Sequence, residues 1–339
     1  MQRIVFGIGL LVVGCCPGWA QFDGQVSSYW AVKSYYNPGS TALTADVVDV
    51  TGLYRLQWLG IVHAPRTGIV TAESPMEILG VDVGLGLSMY NDQIGLFSTS
   101  LMSGQVSKSF NWAKGKISVG LRGGMLDQSF NGAQVVTPDD LEDGVDADTE
   151  TGAGTGAGGT AEAADKAIPR SNVSDNGFDM GLGVFYEREK WSVGLSVNHL
   201  LAPELKLGET TTFTVPRTYY LMAEYNINLN NPLLELKPSI LVKSVEMGSQ
   251  TWNQTQLDVS MRLVYNNMLW GGLSWRPGDA LMVMLGGKYK DLNVGYVYDI
   301  PMSDIIQETY GSHEIFIKYS IDMSNGKKKK GKHKSVRLL

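Results

Sequence analysis

The residues whose types could do chemistry are charged side chains set singly among small polar residues, at alternate positions of otherwise apolar segments. Buried opposite charges need one another as partners, so this spacing predicts a network of ion pairs that lines an enclosed lumen. The alternative is a path that carries a ligand or an ion through the same space. The candidate lumen residues are Arg122, Asp179, Glu224, Asp258, Arg262, Arg276, Lys288, Asp299 and Glu314.

Groupings typical of enzymes are not apparent. The histidines are His63, His199, His313 and His333, and no two have the helical HExxH spacing at which paired histidines bind zinc. The sequence also lacks the GxSxG turn of serine hydrolases and the Walker A loop that binds phosphates. We therefore expect no enzyme, no cofactor, and no catalytic or metal site.

An acidic run is followed by a glycine-rich stretch, residues 151–160, that has the composition of a flexible linker,. Spaced carboxylates can bind Ca²⁺, but this spacing does not match the loop of about twelve residues found in EF-hands. We therefore interpret the region as a solvated surface loop. The acidic residues are Asp139, Asp140, Glu142, Asp143, Asp146, Asp148 and Glu150.

The end of the chain carries a dense basic tail, residues 322–339. Clustered positive charge favours electrostatic docking to an anionic partner; the alternative is a disordered, solvated terminus. The strand count given below places this tail outside the cytoplasm, so we expect no nucleic-acid partner. The candidate docking residues are Lys327, Lys328, Lys329, Lys330, Lys332, Lys334 and Arg337.

Strict alternation of apolar and polar residues defines the elements that must position these charges. In the segment 80–90, apolar residues occupy odd positions, from Val81 to Met89, and polar or small residues occupy even ones. A period of two indicates a β-strand. Transmembrane strands need about 9–11 residues, whereas ordinary strands average about 5–6. The pattern therefore predicts an outer-membrane β-barrel with lipid outside and a polar lumen.

The barrel is predicted to span residues 46–321, with about fourteen antiparallel strands,. An even count returns both termini to the periplasm and places odd-to-even connections outside the cell. The long acidic loop, residues 131–176, joins the fifth and sixth candidates and therefore falls outside. The candidates lie near 46–58, 67–76, 80–90, 94–108, 115–127, 176–188, 190–199, 213–228, 234–246, 253–266, 268–277, 280–290, 291–300 and 312–321.

The first twenty residues have the features of a signal peptide. Arg3 precedes an apolar stretch, and the small-x-small sequence ending at Ala20 predicts a mature chain that begins at Gln21,. The alternative is lipoprotein processing at Cys15. Both cysteines lie in this segment, so cleavage after Ala20 leaves none. Residues 21–45 are predicted to be a periplasmic segment or a plug of the barrel.

Short motifs, in order along the chain, resemble one family of membrane proteins. They are Tyr35-Tyr36-Asn37-Pro38-Gly39, Tyr54-Arg55-x-Gln57-Trp58, Ala64-Pro65-Arg66-Thr67, Pro216-Arg217-x-Tyr219-Tyr220, Leu236-Lys237-Pro238-Ser239, Val294-Gly295-Tyr296-x-Tyr298-Asp299 and Gly311-Ser312-His313-Glu314-Ile315. Together they resemble the PorP/SprF family of type IX secretion outer-membrane proteins. The resemblance covers most of the mature chain but neither the acidic loop nor the basic tail.

The resemblance implies a non-enzymatic role in the type IX machinery of Bacteroidetes. Such proteins associate with the periplasmic ring of the secretion machine, or support display of particular adhesins, including gliding adhesins, that carry the type IX C-terminal signal domain. The expected partners are therefore outer-membrane lipid, the ring proteins, and an adhesin or its signal domain. Two other classes remain open: a solute channel or transporter with a polar lumen, and a soluble secreted β-sandwich, which also alternates.

Overall fold

The computed structural model describes residues 23–135, 169–208, 211–246 and 255–323. The predicted signal peptide, the alternative lipidation at Cys15, most of the acidic loop and the candidate docking residues of the tail lie outside these ranges. Within them, no helix has the length and apolar character needed to cross a membrane.

Fourteen antiparallel strands close into one barrel. In the described residues the strands are β1 Val47–Leu56, β2 Arg66–Ile78, β3 Val81–Ile94, β4 Phe97–Trp112, β5 Gly115–Asn131, β6 Asn172–Glu187, β7 Trp191–Asn198, β8 Glu204–Lys206, β9 Thr212–Thr214, β10 Thr218–Tyr225, β11 Ile227–Asn228, β12 Leu234–Val245, β13 Thr255–Tyr265, β14 Leu269–Arg276, β15 Ala280–Tyr289, β16 Leu292–Pro301 and β17 Ser312–Asp322. The fourteen barrel strands are β1 to β7, β10 and β12 to β17. They pair in chain order, and β17 pairs back with β1. The predicted fold class, an all-β barrel of about fourteen antiparallel strands, is confirmed.

The eighth predicted strand, residues 213–228, is shorter than expected. The structure divides it into β9, which forms a separate hairpin with β8, then β10, and then the two-residue β11. Pro216 lies between β9 and β10, and proline has no N–H to donate to a strand ladder. The apolar pattern runs through this interruption, so alternation alone could not detect it.

Side chains on each strand separate by face as a membrane barrel requires. On β3, Leu87 and Met89 are 66% and 52% exposed, whereas Ser88 and Tyr90 are 4% and 3% exposed. The exposed face is apolar and the buried face is largely polar, which is the reverse of a soluble sandwich. Because apolar side chains that face away from the interior need a lipid environment, this arrangement places the outer surface of the barrel in a bilayer.

The two ends of the barrel carry connections of different length. At one end the turns are short, at residues 79–80, 113–114, 188–190, 229–233, 266–268 and 290–291. The long connections lie at the other end, at residues 57–65, 132–171, 199–217, 246–254 and 302–311, together with two short turns at residues 95–96 and 277–279. Bacterial barrels have short periplasmic turns and longer external loops, so this asymmetry favours an orientation with the long loops outside.

Residues 23–44, which we call the N-terminal segment, lie inside the barrel. The segment forms three short helical turns, Tyr29–Ala31, Lys33–Tyr36 and Pro38–Ser40. Its Val32 is completely buried and its Tyr35 is 2% exposed. The backbone N–H and C=O groups of the wall strands are already hydrogen-bonded within the sheet. The backbone groups of the segment therefore find hydrogen-bond partners in inward-pointing side chains of the wall. The hydrophobic core therefore lies between the segment and the wall.

Residues 199–217, which we call the cap loop, fold over the same interior from the end with the long loops. The hairpin of β8 and β9 lies in this loop. Leu205 of the hairpin is completely buried, and so is Val215, which follows β9. Both belong to the apolar cluster that includes Tyr35 of the N-terminal segment. The interior is thus filled by two parts of the chain that meet inside the barrel.

Leu85→Arg is expected to impair barrel assembly, because Leu85 lies on the lipid-facing side of β3 near its centre. An arginine on the lipid face near the midplane costs about 2–4 kcal/mol. The measurement is the urea dependence of folding into lipid vesicles, with Leu85→Phe as the apolar control. The neighbouring Gly86 is unsuitable as a control, since it faces inward and an added Cβ would lie 2.7 Å from Gln105 Cγ. Equal stability of the arginine and phenylalanine variants would contradict the lipid-facing assignment.

Candidate functional site in the lumen

A buried ion cluster joins three wall strands to the start of the N-terminal segment. Arg55 lies 2.7 Å from Asp299 and 3.4 Å from Glu314, measured from guanidinium nitrogen to carboxylate oxygen. The Ser27 hydroxyl donates to Asp299 at 2.8 Å, and the N–H groups of Ser27 and Ser28 donate to Glu314 at 2.8 and 2.7 Å. Each carboxylate thus has both a charge partner and hydrogen bonds, which buried ions require. The segment is part of the ion network, and not merely adjacent to it.

A second group of charges continues this cluster along the wall. Arg276 Nε donates to Asp258 at 2.7 Å, and its Nη1 lies 3.0 Å from Asp279 and 4.0 Å from Asp299. Arg276 is 1% exposed. Since Asp299 is shared with Arg55, the charges on β1, β13, β14, β16 and β17 form one continuous network.

A third group holds the middle of the N-terminal segment. Glu224 on β10 accepts from Arg262 on β13, and Lys33 of the segment lies 3.2 Å from the same carboxylate. The Arg262 guanidinium carbon lies 3.8 Å from the ring centroid of Trp30, which is cation–π geometry,. The segment therefore presents a cation to Glu224 and an aromatic face to Arg262.

A fourth group, the latch cluster, joins the N-terminal segment, the cap loop and the wall. His199 Nε2 lies 2.9 Å from Asp23 Oδ1, and His199 Nδ1 lies 3.2 Å from Asp179 Oδ1. Arg122 lies 3.5 Å from Asp179, and the Tyr220 hydroxyl donates to Asp23 at 2.5 Å. All three parts thus meet at one buried imidazole. Because Asp23 lies beside the cap loop, residue 23 is at the end of the barrel that carries the long loops. This differs from the prediction of both termini at the opposite, periplasmic end, since the N-terminal segment crosses the interior before β1 begins.

Two residues of the latch cluster, His199 and Asp23, lie outside the strands, and the surrounding charges keep both side chains ionised. Burial opposes the charge on His199, but the carboxylates of Asp23 and Asp179 outweigh it and raise the pKa of His199 to about 9. Burial likewise opposes ionisation of Asp23, but the charges of His199 and Lys243 and the hydrogen bonds hold the pKa of Asp23 well below its usual range. At neutral pH the contact between segment and cap loop is therefore an ion pair.

The structure brings most of the predicted lumen residues together in these four groups. They are Arg122, Asp179, Glu224, Asp258, Arg262, Arg276, Asp299 and Glu314. Lys288 differs: it is exposed near the end of β15 and makes no ion pair within the part of the chain that the structure describes. A functional role for the network stays a prediction.

Sequence reasoning missed Arg55, Asp23, Lys33 and the role of His199. Arg55 lies on the inward face of β1 beside Leu53, which is also inward and buried, so that strand lacks a clean polar face. The sequence feature that could have drawn attention to Arg55 is its place in the motif Tyr54-Arg55-x-Gln57-Trp58. Asp23 and Lys33 belong to no alternating segment, so periodicity could not place them in the lumen.

The motif Asn37-Pro38-Gly39 is seated against wall glycines. The Asn37 amide Nδ2 donates to the carbonyls of Val184 and Leu195 at 3.1 and 3.2 Å. An added Cβ at Gly120 would overlap the Pro38 carbonyl, and one at Gly183 would overlap the Asn37 side chain. These glycines on the inner wall therefore make the space that the segment occupies.

Gly120→Ala is expected to displace the N-terminal segment, because its Cβ would overlap the backbone of Pro38. Gly104→Ala is the matched control, since nothing lies within 4 Å of a Cβ added there. Both glycines lie in barrel strands, β5 and β4, so the two variants make the same change of side chain and differ in whether the added Cβ meets the segment. Limited proteolysis of vesicle-reconstituted protein, followed by mass spectrometry of the segment, checks this. Equal protection of residues 23–44 in both variants would contradict the proposed seat.

The N-terminal segment contacts the wall around the barrel. Among the described residues, hydrogen bonds, ion pairs or ring contacts connect it to thirteen of the fourteen strands. One wall residue on each of these strands is Arg55, Glu73, Tyr90, Ser107, Arg122, Val184, Ser196, Glu224, Ser239, Arg262, Trp270, Asp299 and Glu314. Because side chains of the segment and wall use one another as partners, the described lumen is a packed interior.

The profile of the family described as "Type IX secretion system membrane protein PorP/SprF" matches residues 19–319. The chain belongs to the PorP/SprF family. The resemblance drawn from the motifs is therefore confirmed. The match includes the N-terminal segment and all fourteen barrel strands up to most of β17, so the plugged lumen lies within the part of this PorP/SprF protein that the family defines.

Solved structures similar to this PorP/SprF chain are membrane proteins. The CymD monoaromatic hydrocarbon channel is 11% identical, with a TM-score of 0.46, over 86% of this chain and 91% of that chain. The toluene transporter TodX of Pseudomonas putida is 10% identical, with a TM-score of 0.43 over 88% and 93%. The outer-membrane protein Omp33 of Acinetobacter baumannii is 8% identical, with a TM-score of 0.40 over 81% and 97%. No curated protein sequence matches the chain.

Proposed function

We propose that this protein is a non-enzymatic outer-membrane component of the type IX secretion system. It supports export or surface display of proteins that carry the type IX C-terminal signal, through association with the periplasmic ring or with a specific adhesin. The observation that carries the proposal is the family match over residues 19–319. The filled lumen adds to it, because a barrel closed by its own chain acts through its surfaces.

The rival function is a solute channel or transporter with a polar lumen. The charges that would line such a path are paired with one another at distances of 2.7 to 4.0 Å, as for Arg55 and Arg276. The N-terminal segment occupies the space between them. A channel function would therefore require the segment to leave, which makes conductance measurements the discriminating experiment.

The proposed orientation places the C-terminal basic tail in the periplasm and the acidic loop outside the cell. Every connection at the end where β1 begins and β17 ends is a short turn. Met323, the last described residue, donates its N–H to the carbonyl of Asp46 at 2.7 Å, which ties both sides of the closure together at that end. The described chain thus ends on the side with short turns, which under the proposed orientation is the side of a periplasmic ring.

Deleting residues 325–339 is expected to weaken recovery of periplasmic ring proteins without loss of the folded barrel. Exposed charges add little to folding stability, but a cluster of them accelerates association and is screened by salt. Affinity purification from native membranes at low and high ionic strength measures the effect, and heat-modifiable migration confirms folding. The control replaces the same seven Lys and Arg residues by Gln at unchanged length.

The identity of the recovered proteins decides between the two proposed partners, and the comparison of truncated with full-length protein tests the tail. Recovery of ring proteins identifies a core component of the machine, whereas recovery of an adhesin identifies a cargo partner. If the truncated and full-length proteins recover every partner equally at both salt concentrations, the tail is only a solvated terminus.

A further inference from the structure

Strand β6 continues well beyond its pairing with β7. It pairs with β5 along its full length, from Lys116↔Glu187 to Asn131↔Asn172. It pairs with β7 only over residues 182–187. Residues 172–181 therefore have a strand neighbour on one side only. In the described residues, one backbone hydrogen bond reaches the other side of this stretch, from Leu200 N–H to the Met180 carbonyl at 2.8 Å.

Alternation along the strand shows which backbone groups face this open side. The N–H and C=O of one residue point to the same side, and successive residues point to opposite sides. Since the Met180 carbonyl faces away from β5, so do the groups of Phe178, Asn176 and Ser174. The Asn176 N–H is taken by Asp175 Oδ1 at 2.9 Å. The N–H groups of Ser174 and Phe178 have no partner among the described residues.

The open edge rises from the membrane into the external space under the orientation proposed above. Phe178 is 53% exposed and apolar, as expected at lipid level, whereas Asn176, Ser174 and Asn172 are exposed and polar. The edge therefore combines unpaired backbone groups with a water-compatible outer face. Both are what an added strand requires.

The β6 edge is the longest one-sided stretch among the described strands; shorter ones include residues 108–112 of β4 and an edge on β2 that is guarded by its sequence. β2 pairs with β1 only up to Glu73, so residues 74–78 are also unpaired on one side. That stretch contains Pro75 and Glu77, and prolines and charges block edge-to-edge pairing. Residues 172–181 contain no proline. Within residues 172–179, the contact that the described residues make on the open side is that of the Asp175 carboxylate, which also accepts from Lys206 N–H at 2.7 Å.

We propose that residues 172–179 of β6 accept an extended strand from a second, different polypeptide at the cell surface, through main-chain hydrogen bonds. The proposal rests on the proposed orientation of the barrel, with the long loops outside. It goes beyond the proposed function by naming a surface of the barrel and the conformation of its partner. The partner strand lies beside the cap loop, where Pro203 and Leu205 pack over Gly177, and presents polar side chains outward next to Asn176.

Two other occupants fit the edge less well. Two copies of the barrel in one membrane point the same way, and their strands tilt by about 35–45°, so two β6 strands would cross instead of pairing along their length. The chain's own loop is rich in Gly, Ala and Asp between residues 139 and 165, and these residues are depleted in strands. A different chain is therefore the occupant that the geometry and the sequence favour.

The test uses a photo-crosslinking amino acid at position 176 of the full-length protein in intact cells. Ser174→Pro removes an N–H that faces the open edge and leaves the β5 ladder intact. Ser174→Ala keeps the N–H and is the matched control. We expect an adduct with a second polypeptide in the Ser174→Ala background and its loss in the Ser174→Pro background. A crosslinker at Leu273, whose strand is paired on both sides, should give no such adduct.

Heat-modifiable migration must first show that both Ser174 variants are folded. Equal adduct yield from both variants would overturn the proposal, because a side-chain contact would not depend on the N–H. So would an adduct that maps to residues 136–168 of the same chain or to a second copy of it. Absence of any adduct, while the intact tail still recovers periplasmic partners, would reject the strand site and leave the proposed function standing.

Discussion

A variant lacking residues 23–40 is expected to form an ion-conducting pore, whereas the complete protein stays closed in planar bilayers. The N-terminal segment supplies Trp30, Tyr35 and Tyr36 to the lumen core and contacts thirteen strands. A fourteen-stranded barrel is wider than the eight-stranded barrels that side chains alone can fill, so its removal leaves a water-accessible path. We expect a change from background current to discrete channel steps.

The matched control is the variant lacking residues 325–339, which keeps the segment and should not conduct. Heat-modifiable migration shows whether the variant without the segment has folded. A folded barrel that stays closed without residues 23–40 would contradict the plug assignment. So would channel steps of equal size from the complete protein.

Alkaline pH should weaken the closure of the lumen by the N-terminal segment. The pKa of His199 is raised to about 9 in the folded protein, above the value of about 6.5 for a solvated histidine. Its stabilising charge is therefore fully present below pH 6.5 and is lost as the pH rises through about 9. The groups that face it are Asp23, Asp179 and, around them, Tyr220 and Lys243. Conductance of the complete protein should rise above this pH, and His199→Gln should remove that dependence.

Arg55→Met is expected to destabilise the folded barrel by about 3–5 kcal/mol, because it leaves Asp299 and Glu314 buried without their cation. The two carboxylates are 1% and 0% exposed. Urea unfolding from vesicles, followed by tryptophan fluorescence, measures the free energy of unfolding. We also expect faster proteolysis of residues 23–44, since Ser27 and Ser28 bond to the same carboxylates.

Lys318→Met is the matched control for this loss of charge. Lys318 lies 2.8 Å from Asp49, but the two side chains are 30% and 21% exposed, so solvent screens the pair and its loss should cost at most about 1 kcal/mol. Adding Glu314→Gln to Arg55→Met should recover part of the stability. If Arg55→Met and Lys318→Met lower the stability equally, the buried cluster does not hold the lumen together.

The sequence was sufficient to predict the barrel because its signal is local. Alternation on β3 separates lipid-facing Leu87 from lumen-facing Ser88 within two residues, and the same rule placed Arg122 and Asp179 inside. Lys288 followed the same rule but lies near the end of its strand, where inward-pointing residues reach solvent. Periodicity records the face of a residue and not its depth in the barrel.

The contacts of the N-terminal segment could not be predicted because they are distant in sequence. Ser28 bonds to Glu314 across 286 residues, and Asp23 meets His199 across 176. The segment has no alternation, and its seat depends on inner-wall glycines such as Gly120, whose contact with Pro38 the strand pattern does not reveal. The motif Tyr35-Tyr36-Asn37-Pro38-Gly39 indicated the family, but only the structure shows that it fits the inner wall.

The central claim is that this plugged barrel serves type IX export through its surfaces. The most direct test measures surface display of a reporter protein fused to a type IX C-terminal signal, in cells lacking this protein. We expect display to fall without the protein and to return with the complete chain, although that chain does not conduct in bilayers. Unchanged display in its absence, together with channel steps from the complete protein, would contradict the account and favour a solute channel.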